Sequence, residues 1–264
     1  MVKQRRRRSE RIIEADREVL PLIEELKAAH PFWGYRRVWA YLKFGAGLLI
    51  NQKRVYRLMK ENALLVKENE KLKARRSVST RKPKPDRPNQ WWGIDMTKVV
   101  TEQGWAYVVV VNDWFTKKLL GTFTGSRSQA GDWLGALDEA LCRQFPNGIK
   151  ESGVEELNLM SDNGSQPTSV KFVQEAAGLG IRQAFTAYSN PKGNADTERL
   201  IRTLKEELLW LREWTTVEEV ARAVKEFTPQ FNAGYLHSAL EYKTPNEFEA
   251  KWFRENQKTL SAAA

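Results

Sequence analysis

The chain has one cysteine, Cys142, and two histidines, His30 and His237, among 264 residues. One cysteine excludes an intrachain disulfide and suits a reducing compartment. So few Cys and His side chains also exclude a zinc site built from them within the chain. No apolar run approaches the roughly 18 residues that span a bilayer, and residues 1–8 lack the apolar stretch of a signal peptide. These absences lead us to expect a cytoplasmic protein.

Positive charge is unevenly distributed along the chain. Residues 1–90 carry 24 Lys and Arg against 10 Asp and Glu, a net charge of +14. Residues 91–264 carry 19 against 23, a net charge of −4. A basic front part is typical of a segment that binds a polyanion such as nucleic acid. The alternative is a soluble protein with a basic tail.

Residues 1–66 are expected to be helical. Leu22, Ile23 and Leu26 follow helical spacing, and Pro21 would lie in the first helical turn, where its missing N–H does no harm. A second segment has apolar side chains at i, i+3, i+4 and i+7: Tyr35, Val38, Trp39 and Leu42. Two glycines then interrupt the pattern.

A third helix is predicted to begin at Asn51, a residue type that caps helices well. Its apolar side chains are Val55, Leu58 and Met59, and its cations are Lys53, Arg54, Arg57 and Lys60. Two short helices joined by a glycine-containing turn, with a basic second helix, are typical of a helix-turn-helix DNA-binding domain. The alternative is a small helical bundle whose basic face is only solvated.

The next segment, residues 67–90, is rich in Lys, Arg, Ser and Pro. Because such a composition buries little apolar surface, we interpret it as a basic linker that could also follow a phosphate backbone.

A second domain is predicted over residues 91–264, where the hydrophobic period changes. Side chains alternate from Trp91 onward, and further strands are expected at residues 107–111, 119–124, 157–160 and 181–185. Amphipathic helices are expected at residues 133–141, 170–177 and 195–211. This order predicts an α/β fold in which helices cover a mixed sheet.

Three acids stand out in this domain. Asp95 interrupts an apolar strand, Asp162 follows a buried strand, and Glu198 lies in the first turn of the last sheet-covering helix. Carboxylates at strand ends open into the crevice beside a sheet, where α/β proteins bind ligands. Three carboxylates from separate elements can converge on Mg²⁺ or Mn²⁺, which prefer oxygen ligands.

The helix around Glu198 has an apolar stripe and a neighbouring charged stripe. The apolar stripe consists of Leu200, Leu204, Leu208 and Leu211. At about 100° per residue, Glu198, Arg202 and Lys205 share an adjoining arc of about 60°, which suits a helix lying against DNA phosphates. The alternative is an ordinary i, i+4 pair of Glu198 and Arg202 on a solvated helix.

Several motifs together resemble the OrfB subunits of bacterial insertion-element transposases. Asp162 and Glu198 are separated by 35 residues, like the last two acids of the D,D(35)E signature of retroviral-integrase-like transposases. The similar segments are residues 34–38, 51–59, 92–97, 161–165, 189–198, 231–240 and 243–248, with Lys205 at a basic position of the family. Asp196 lies two residues before Glu198, but the 35-residue gap and Lys205 favour Glu198.

The resemblance implies an RNase H-like catalytic domain with a C-terminal helical extension. It also implies metal-dependent cleavage that frees a 3′-OH at the element's end, followed by strand transfer. Asp95, Asp162 and Glu198 would hold two Mg²⁺ or Mn²⁺ ions. The DNA contacts expected on this basis are Arg36, Arg37, Lys53, Arg54, Arg57, Asn163, Asn190, Lys192, Asn194, Arg202, Lys205 and His237. For His237, packing inside the C-terminal part is an equally open interpretation.

The expected partners follow from the same resemblance. They are the transposon-end DNA and a target DNA, a second copy of the chain or more on the DNA, and an upstream OrfA-type partner or fusion in a bacterial cytoplasm, near the nucleoid. Two other functions stay open: a catalytically inactive RNase H-like DNA-binding regulator of transposition, and a plain nuclease of the same fold that cuts without joining.

Overall fold

The computed structural model describes residues 10–66, 83–152, 154, 156–186 and 193–260. The chain divides into two compact units, Met1–Ala74 and Arg75–Ala264. In the described ranges, no helix combines the length and apolar character that crossing a membrane requires.

The first unit is a small helical domain. It contains α1 (Glu10–Ala29), α2 (Tyr35–Ala40), a π-helical turn (Tyr41–Gly45) that continues α2, and α3 (Gln52–Glu61). The expected cap of α3 is confirmed, because the Asn51 side chain accepts a hydrogen bond from Lys53 N at 2.8 Å. The core of the unit consists of Ile23, Trp33, Val38, Leu42, Ile50, Val55, Leu58 and Met59.

The prediction for Pro21 was wrong. Pro21 lies in the middle of α1 rather than in its first turn. Proline inside a helix removes one hydrogen bond and crowds the preceding turn. The segment before it, residues 10–20, contains no glycine and several good helix formers, and Pro21 itself is exposed, so the helix tolerates the loss.

The second unit is built on a five-stranded mixed sheet. Its strands are β1 (Trp91–Thr101), β2 (Gly104–Asp113), β3 (Leu119–Gly125), β4 (Leu157–Ser161) and β5 (Ile181–Phe185). They lie in the order β3-β2-β1-β4-β5. The first three form an antiparallel meander, and β4 and β5 run parallel to β1. All five predicted strands are present.

Helices cover both faces of this sheet. They are α4 (Ala130–Gln144), α5 (Val170–Gly178), α6 (Ala195–Leu204) and α7 (Val217–Gly234), while α8 (Pro245–Leu260) packs against α7. One apolar core joins the sheet to α4 and α5, and a second joins it to α6 and α7. The expected α/β, RNase H-like fold with a mixed sheet flanked by helices is confirmed. Since β strands alternate their side chains between faces, Trp92 and Ile94 of β1 belong to the first core and Val99 to the second.

The contact between α4 and β3 depends on a glycine. A Cβ atom at Gly121 would lie 2.2 Å from the carbonyl oxygen of Ala136 and 2.7 Å from the amide nitrogen of Ala140. Both atoms belong to the backbone of α4, which cannot yield as a flexible side chain would. Gly121 therefore allows the helix to pack closely on the sheet.

We expect Gly121→Ala to lower the free energy of unfolding by about 1–3 kcal/mol, because the added methyl group overpacks a rigid contact. Urea unfolding of the full chain would measure this change. Gly131→Ala is the matched control, since Gly131 lies in α4 with only the Lys171 Nζ atom near its missing Cβ, at 4.0 Å. The control should keep or slightly raise stability; equal effects of the two variants would contradict the packing argument.

Candidate active site

Asp95 lies near the middle of β1, opposite Val110 of β2. It is half-buried, and its Oδ1 accepts a hydrogen bond from the neighbouring Met96 N at 2.7 Å. Gly93 and Asp95 are two residues apart, so they share one face of the sheet. Val110 belongs to the core under α6 and α7, which places the Asp95 carboxylate on that same side.

Asp162 follows β4 directly and is exposed. In the parallel pairing of β1 and β4, Gly93 lies opposite Met160. The same register carried two residues further places Asp162 beside Asp95. Neighbouring strands are about 4.8 Å apart, so this pairing explains how two acids distant in sequence come close together.

A tight turn fixes the Asp162 side chain. Its Oδ1 accepts a hydrogen bond from Gly164 N at 3.0 Å. A Cβ atom at Gly164 would lie 2.9 Å from that same oxygen, closer than real Cβ atoms come to a neighbour. The glycine thus leaves room for the carboxylate to fold back onto its own backbone.

The start of α6 packs against β1 at Gly93. A Cβ atom there would lie 1.9 Å from Thr197 Oγ1 and 2.4 Å from Trp114 Nε1. Trp114 donates its indole N–H to Thr197 Oγ1 at 3.1 Å, and both residues are fully buried. This contact brings the first turn of α6, and with it Glu198, to the face of β1 that carries Asp95.

Asn194 takes part in the same junction. It is 3% exposed, and its Nδ2 donates to the backbone oxygen of Ile94 in β1 at 3.3 Å. The prediction that Asn194 contacts DNA is therefore wrong: the side chain joins α6 to the sheet from the interior. Sequence reasoning missed this because a polar residue before a helix is ordinarily a solvent-facing cap.

Glu198 is exposed on α6, and its charge reaches Asp95. The pKa of Asp95 is raised to about 6, chiefly by burial and also by the negative charges of Asp162 and Glu198. The Met96 N–H and the positive charge of Lys205 act in the opposite direction. The three acids and Lys205 therefore form one electrostatic group.

The three carboxylates interact electrostatically but do not lie close enough together to form a metal site. In the described ranges, no three His, Cys, Asp or Glu side chains are close enough to hold a metal ion as they stand. Mutual repulsion of carboxylates favours such a separation until a cation neutralises them. All the donors are carboxylate oxygens, the ligand type that suits Mg²⁺ and Mn²⁺.

Asp196, the other acid in the first turn of α6, has a different environment. Its Oδ1 lies 3.2 Å from the Lys117 Nζ atom. The negative charge of Glu198 contributes to the raised pKa of Asp95. The geometry thus favours Glu198 over Asp196 as the third acid of the group.

Lys205 begins a π-helical segment, Lys205–Leu209, that continues α6. The predicted apolar stripe holds at Leu200 and Leu204, but Leu209 rather than Leu208 is then buried, and Leu211 is 42% exposed. One extra residue in the π-helical turn shifts the pattern by one position. This feature cannot be seen from apolar spacing alone, because the spacing assumes a regular α-helix.

The remaining predicted contacts of this unit have varied surroundings. Arg202 is exposed and pairs with Glu206 at 2.8 Å. Asn163 donates from its Nδ2 to the backbone oxygen of Thr186 at 2.6 Å. The His237 ring packs edge-on against two aromatic rings of the C-terminal part, as the packing interpretation expects: those of Phe231 and Tyr235. Asn190 and Lys192 lie outside the described residues.

In the helical unit, the predicted basic contacts fall into two groups. Arg36 and Lys53 are exposed. Arg37 is half-buried, with its guanidinium 5.9 Å from the centre of the Trp33 ring. The half-buried Arg54 and Arg57 both pair with Asp16 of α1.

Sequence reasoning did not assign Gly93, Trp114 or Thr197 to the site. An isolated glycine within a strand is a signal of close approach by another element, so Gly93 could have been noticed. Trp114 and Thr197 are 83 positions apart, and nothing in their local sequence predicts that they meet.

Replacing Thr197 tests the junction between α6 and β1. We expect Thr197→Val to lower the free energy of unfolding by about 1–2 kcal/mol, because the hydroxyl that accepts the Trp114 N–H is lost at constant shape. Thr197→Ser retains the hydroxyl and should cost less. Chemical denaturation of both variants gives the comparison, and a more damaging serine would rule out the hydrogen bond as the cause.

The electrostatic group makes a prediction about pH. The pKa of Asp95 is raised in the folded chain, so this residue's contribution to stability falls as pH rises from about 4 to about 6 and stays low above that. Asp95→Asn should therefore be more stable than the parent chain by about 1–3 kcal/mol at pH 7.5 without divalent cations.

This difference should vanish near pH 4, and thermal melts across that range would measure it. Asp138→Asn, at an exposed position of α4, is the control and should leave the pH profile unchanged. A less stable Asp95→Asn at pH 7.5 would contradict the electrostatic interpretation.

Comparisons with known proteins identify the family of this chain. Residues 85–191 and 179–245 match two models of the integrase core domain, and residues 14–71 match a helix-turn-helix-like domain. Transposase InsD for insertion element IS2A/D/F/H/I/K of Escherichia coli is 30% identical over 243 residues, which cover 88% of this chain and 78% of that protein. Transposase InsD for insertion element IS2-9 of Escherichia coli (strain K12) is also 30% identical over 243 residues, which cover 88% of this chain and 77% of that protein.

Solved structures give similar matches at lower identity. The HTLV-2 integrase catalytic core domain in complex with magnesium is 15% identical, with 63% of this chain and 99% of that chain covered and a TM-score of 0.47. The catalytic domain of the Mos1 mariner transposase is also 15% identical, with 53% and 70% covered and a TM-score of 0.44. By its matches to the InsD proteins and to the integrase core models, the chain belongs to the family of insertion-element transposases with an integrase core.

Proposed function

We propose that this transposase cleaves the 3′ ends of its insertion element and transfers them to a target DNA in a metal-dependent reaction. The observation that carries the proposal is the electrostatic coupling of Asp95 to both Asp162 and Glu198. The three acids come from separate elements: β1, the residue after β4, and the first turn of α6. Such a group of acids is costly for the apo chain, and cation binding would offset that cost.

Asp95, Asp162 and Glu198 would hold the cations. Oδ1 of Asp95 and Oδ1 of Asp162 accept backbone hydrogen bonds, which orient each side chain and leave its Oδ2 for a cation. Two divalent cations bound there would supply charge neutralisation and an activated oxygen for in-line phosphoryl transfer. Because two bound cations would activate the attacking oxygen, the proposed chemistry needs no histidine as a general base.

Lys205 and Arg202 would position the DNA. Lys205 is half-buried within electrostatic reach of Asp95, and Arg202 is exposed on the same helix. Cations beside an acidic site can bind the phosphates on either side of the bond that is cut. We assign both residues to phosphate binding, with Asn163 at the neighbouring loop.

The first unit would bind the transposon-end DNA through its helix-turn-helix. Bringing two DNA ends together requires at least two copies of the chain on the DNA, and an OrfA-type partner or fusion is part of this proposal. These assignments rest on family membership and on the basic charge of residues 1–90.

The decisive experiment combines the chain with labelled duplexes carrying the ends of its own element, a target plasmid, and Mg²⁺ or Mn²⁺. Gel analysis would count cleaved and joined products separately. Asp162→Asn and Glu198→Gln should each lower both products by about 10³-fold or more, since each removes a charged ligand. Binding of the end duplex should stay within a few-fold of the parent chain.

Asp196→Asn is the matched control, because Asp196 lies in the same helical turn but pairs with Lys117. It should retain most of the activity. Cleavage without joining would instead indicate a plain nuclease. DNA binding without either product, and without a Mg²⁺-dependent rise in Tm, would indicate an inactive regulator. Loss of activity in Asp196→Asn but not in Glu198→Gln would reassign the third acid.

A further inference from the structure

The four cations of α3 do not share one environment. Asp16 of α1 lies against the helix and is 8% exposed. Its Oδ1 accepts from Arg54 Nε at 2.8 Å and from Arg57 Nη2 at 2.9 Å, and its Oδ2 accepts from Arg57 Nη2 at 2.7 Å. Lys53 and Lys60 are exposed.

The ion pairs with Asp16 are too buried to be incidental surface contacts. Burial works to raise the pKa of Asp16, but the hydrogen bonds and charges of Arg57 and Arg54 outweigh it, so this pKa lies below its ordinary value. A nearly buried carboxylate needs such partners, because an unpaired buried charge is strongly destabilising. Moving either arginine to a DNA phosphate would remove one of these partners from Asp16.

Another set of side chains is available on the outer surface of α3. At about 100° per residue, Lys53, Tyr56 and Lys60 lie within an arc of about 60°, and all three are exposed. Tyr56 is held edge-on against Tyr35 of α2, with ring centres 4.9 Å apart. Asn51 does not add to this set, because its side chain caps the helix.

The three side chains of this set fit two different parts of a DNA duplex, the base edges and the phosphate backbone. Residues near the N-terminus of a recognition helix contact base edges, and Lys53 and Tyr56 lie in the first half of α3. Lys60 lies in the last turn, where a cation can bind a phosphate. Arg36, exposed on α2, adds a second basic position near Tyr35.

We infer that α3 contacts the transposon-end DNA through Lys53, Tyr56 and Lys60, while Asp16 withholds Arg54 and Arg57 from the DNA and uses them to fix the orientation of the helix. This inference rests on the proposed DNA binding by the first unit. We call Lys53, Tyr56 and Lys60 the binding set, and Arg54 and Arg57 with their partner Asp16 the supporting set.

Salt dependence separates the two sets. Each lysine or arginine that binds a phosphate contributes about one unit to the slope of log affinity against log salt. Anisotropy titrations of the full chain with a labelled end duplex, and with a scrambled duplex of equal length, would measure affinity and slope over a series of salt concentrations.

For the binding set, Lys60→Ala should weaken binding to both duplexes by roughly 3- to 10-fold and lower the slope by about one. Tyr56→Ala should instead reduce the preference for the end duplex over the scrambled one by roughly fivefold or more. Tyr56→Phe, which keeps the ring against Tyr35, shows whether the hydroxyl carries that preference.

For the supporting set, Arg57→Lys and Arg57→Gln should lower the Tm of the chain and leave the salt slope unchanged at temperatures well below unfolding. Asp16→Asn should release both arginines and raise the slope for the scrambled duplex. A slope that falls by about one in Arg57→Gln, with Asp16→Asn neutral, would overturn the division of roles while leaving DNA binding intact. If the parent chain bound neither duplex, the proposed DNA binding itself would fail.

Discussion

The candidate active site depends on how closely α6 can approach β1 at Gly93. The missing side chain there admits Thr197 and the Trp114 indole into one small space. Glu198 directly follows Thr197 in α6, and Asp95 lies two residues after Gly93 in β1. A methyl group at Gly93 would separate the two elements that carry these acids, so a steric constraint in the core determines an electrostatic arrangement at the surface.

The acids themselves work against folding. Asp95 is half-buried beside two other carboxylates, and its pKa is raised to about 6, so at neutral pH its ionised form costs free energy in the apo chain. A second buried carboxylate lies in the same sheet. Asp113 at the end of β2 accepts from Asn89 N at 2.6 Å and Thr116 N at 2.7 Å, yet burial still raises its pKa to about 6. The apolar packing of the unit therefore has to offset the cost of both carboxylates at neutral pH.

Much of the catalytic unit could be predicted from the sequence because its signals are local. Strand alternation and apolar runs located all five strands, and Asp162 was correctly placed just after β4. Glu198 and Asp95 needed more than local signals. Their proximity follows from a parallel register and a helix contact, so the 35-residue spacing and the family resemblance supplied what periodicity could not.

Tertiary contacts can give a polar side chain a role that its local sequence does not predict. Asn194 has the sequence character of a loop residue, yet the sheet draws it inside. Arg54 and Arg57 both pair with Asp16, about forty positions earlier, a contact that their local sequence does not predict. None of these partners can be identified from one sequence without a register or a fold.

The π-helical turn after Lys205 has a consequence for how this chain tolerates changes in length. Trp210 N–H bonds to the Lys205 carbonyl at 2.9 Å, five residues back, so one additional residue is accommodated without a loop. Loss of one residue there would close an ordinary α-helical turn and leave the residues that follow near the faces they already occupy. The acid-bearing turn upstream would keep its position. A change of one residue at this turn therefore need not disturb either the catalytic geometry upstream or the packing of the segment that follows.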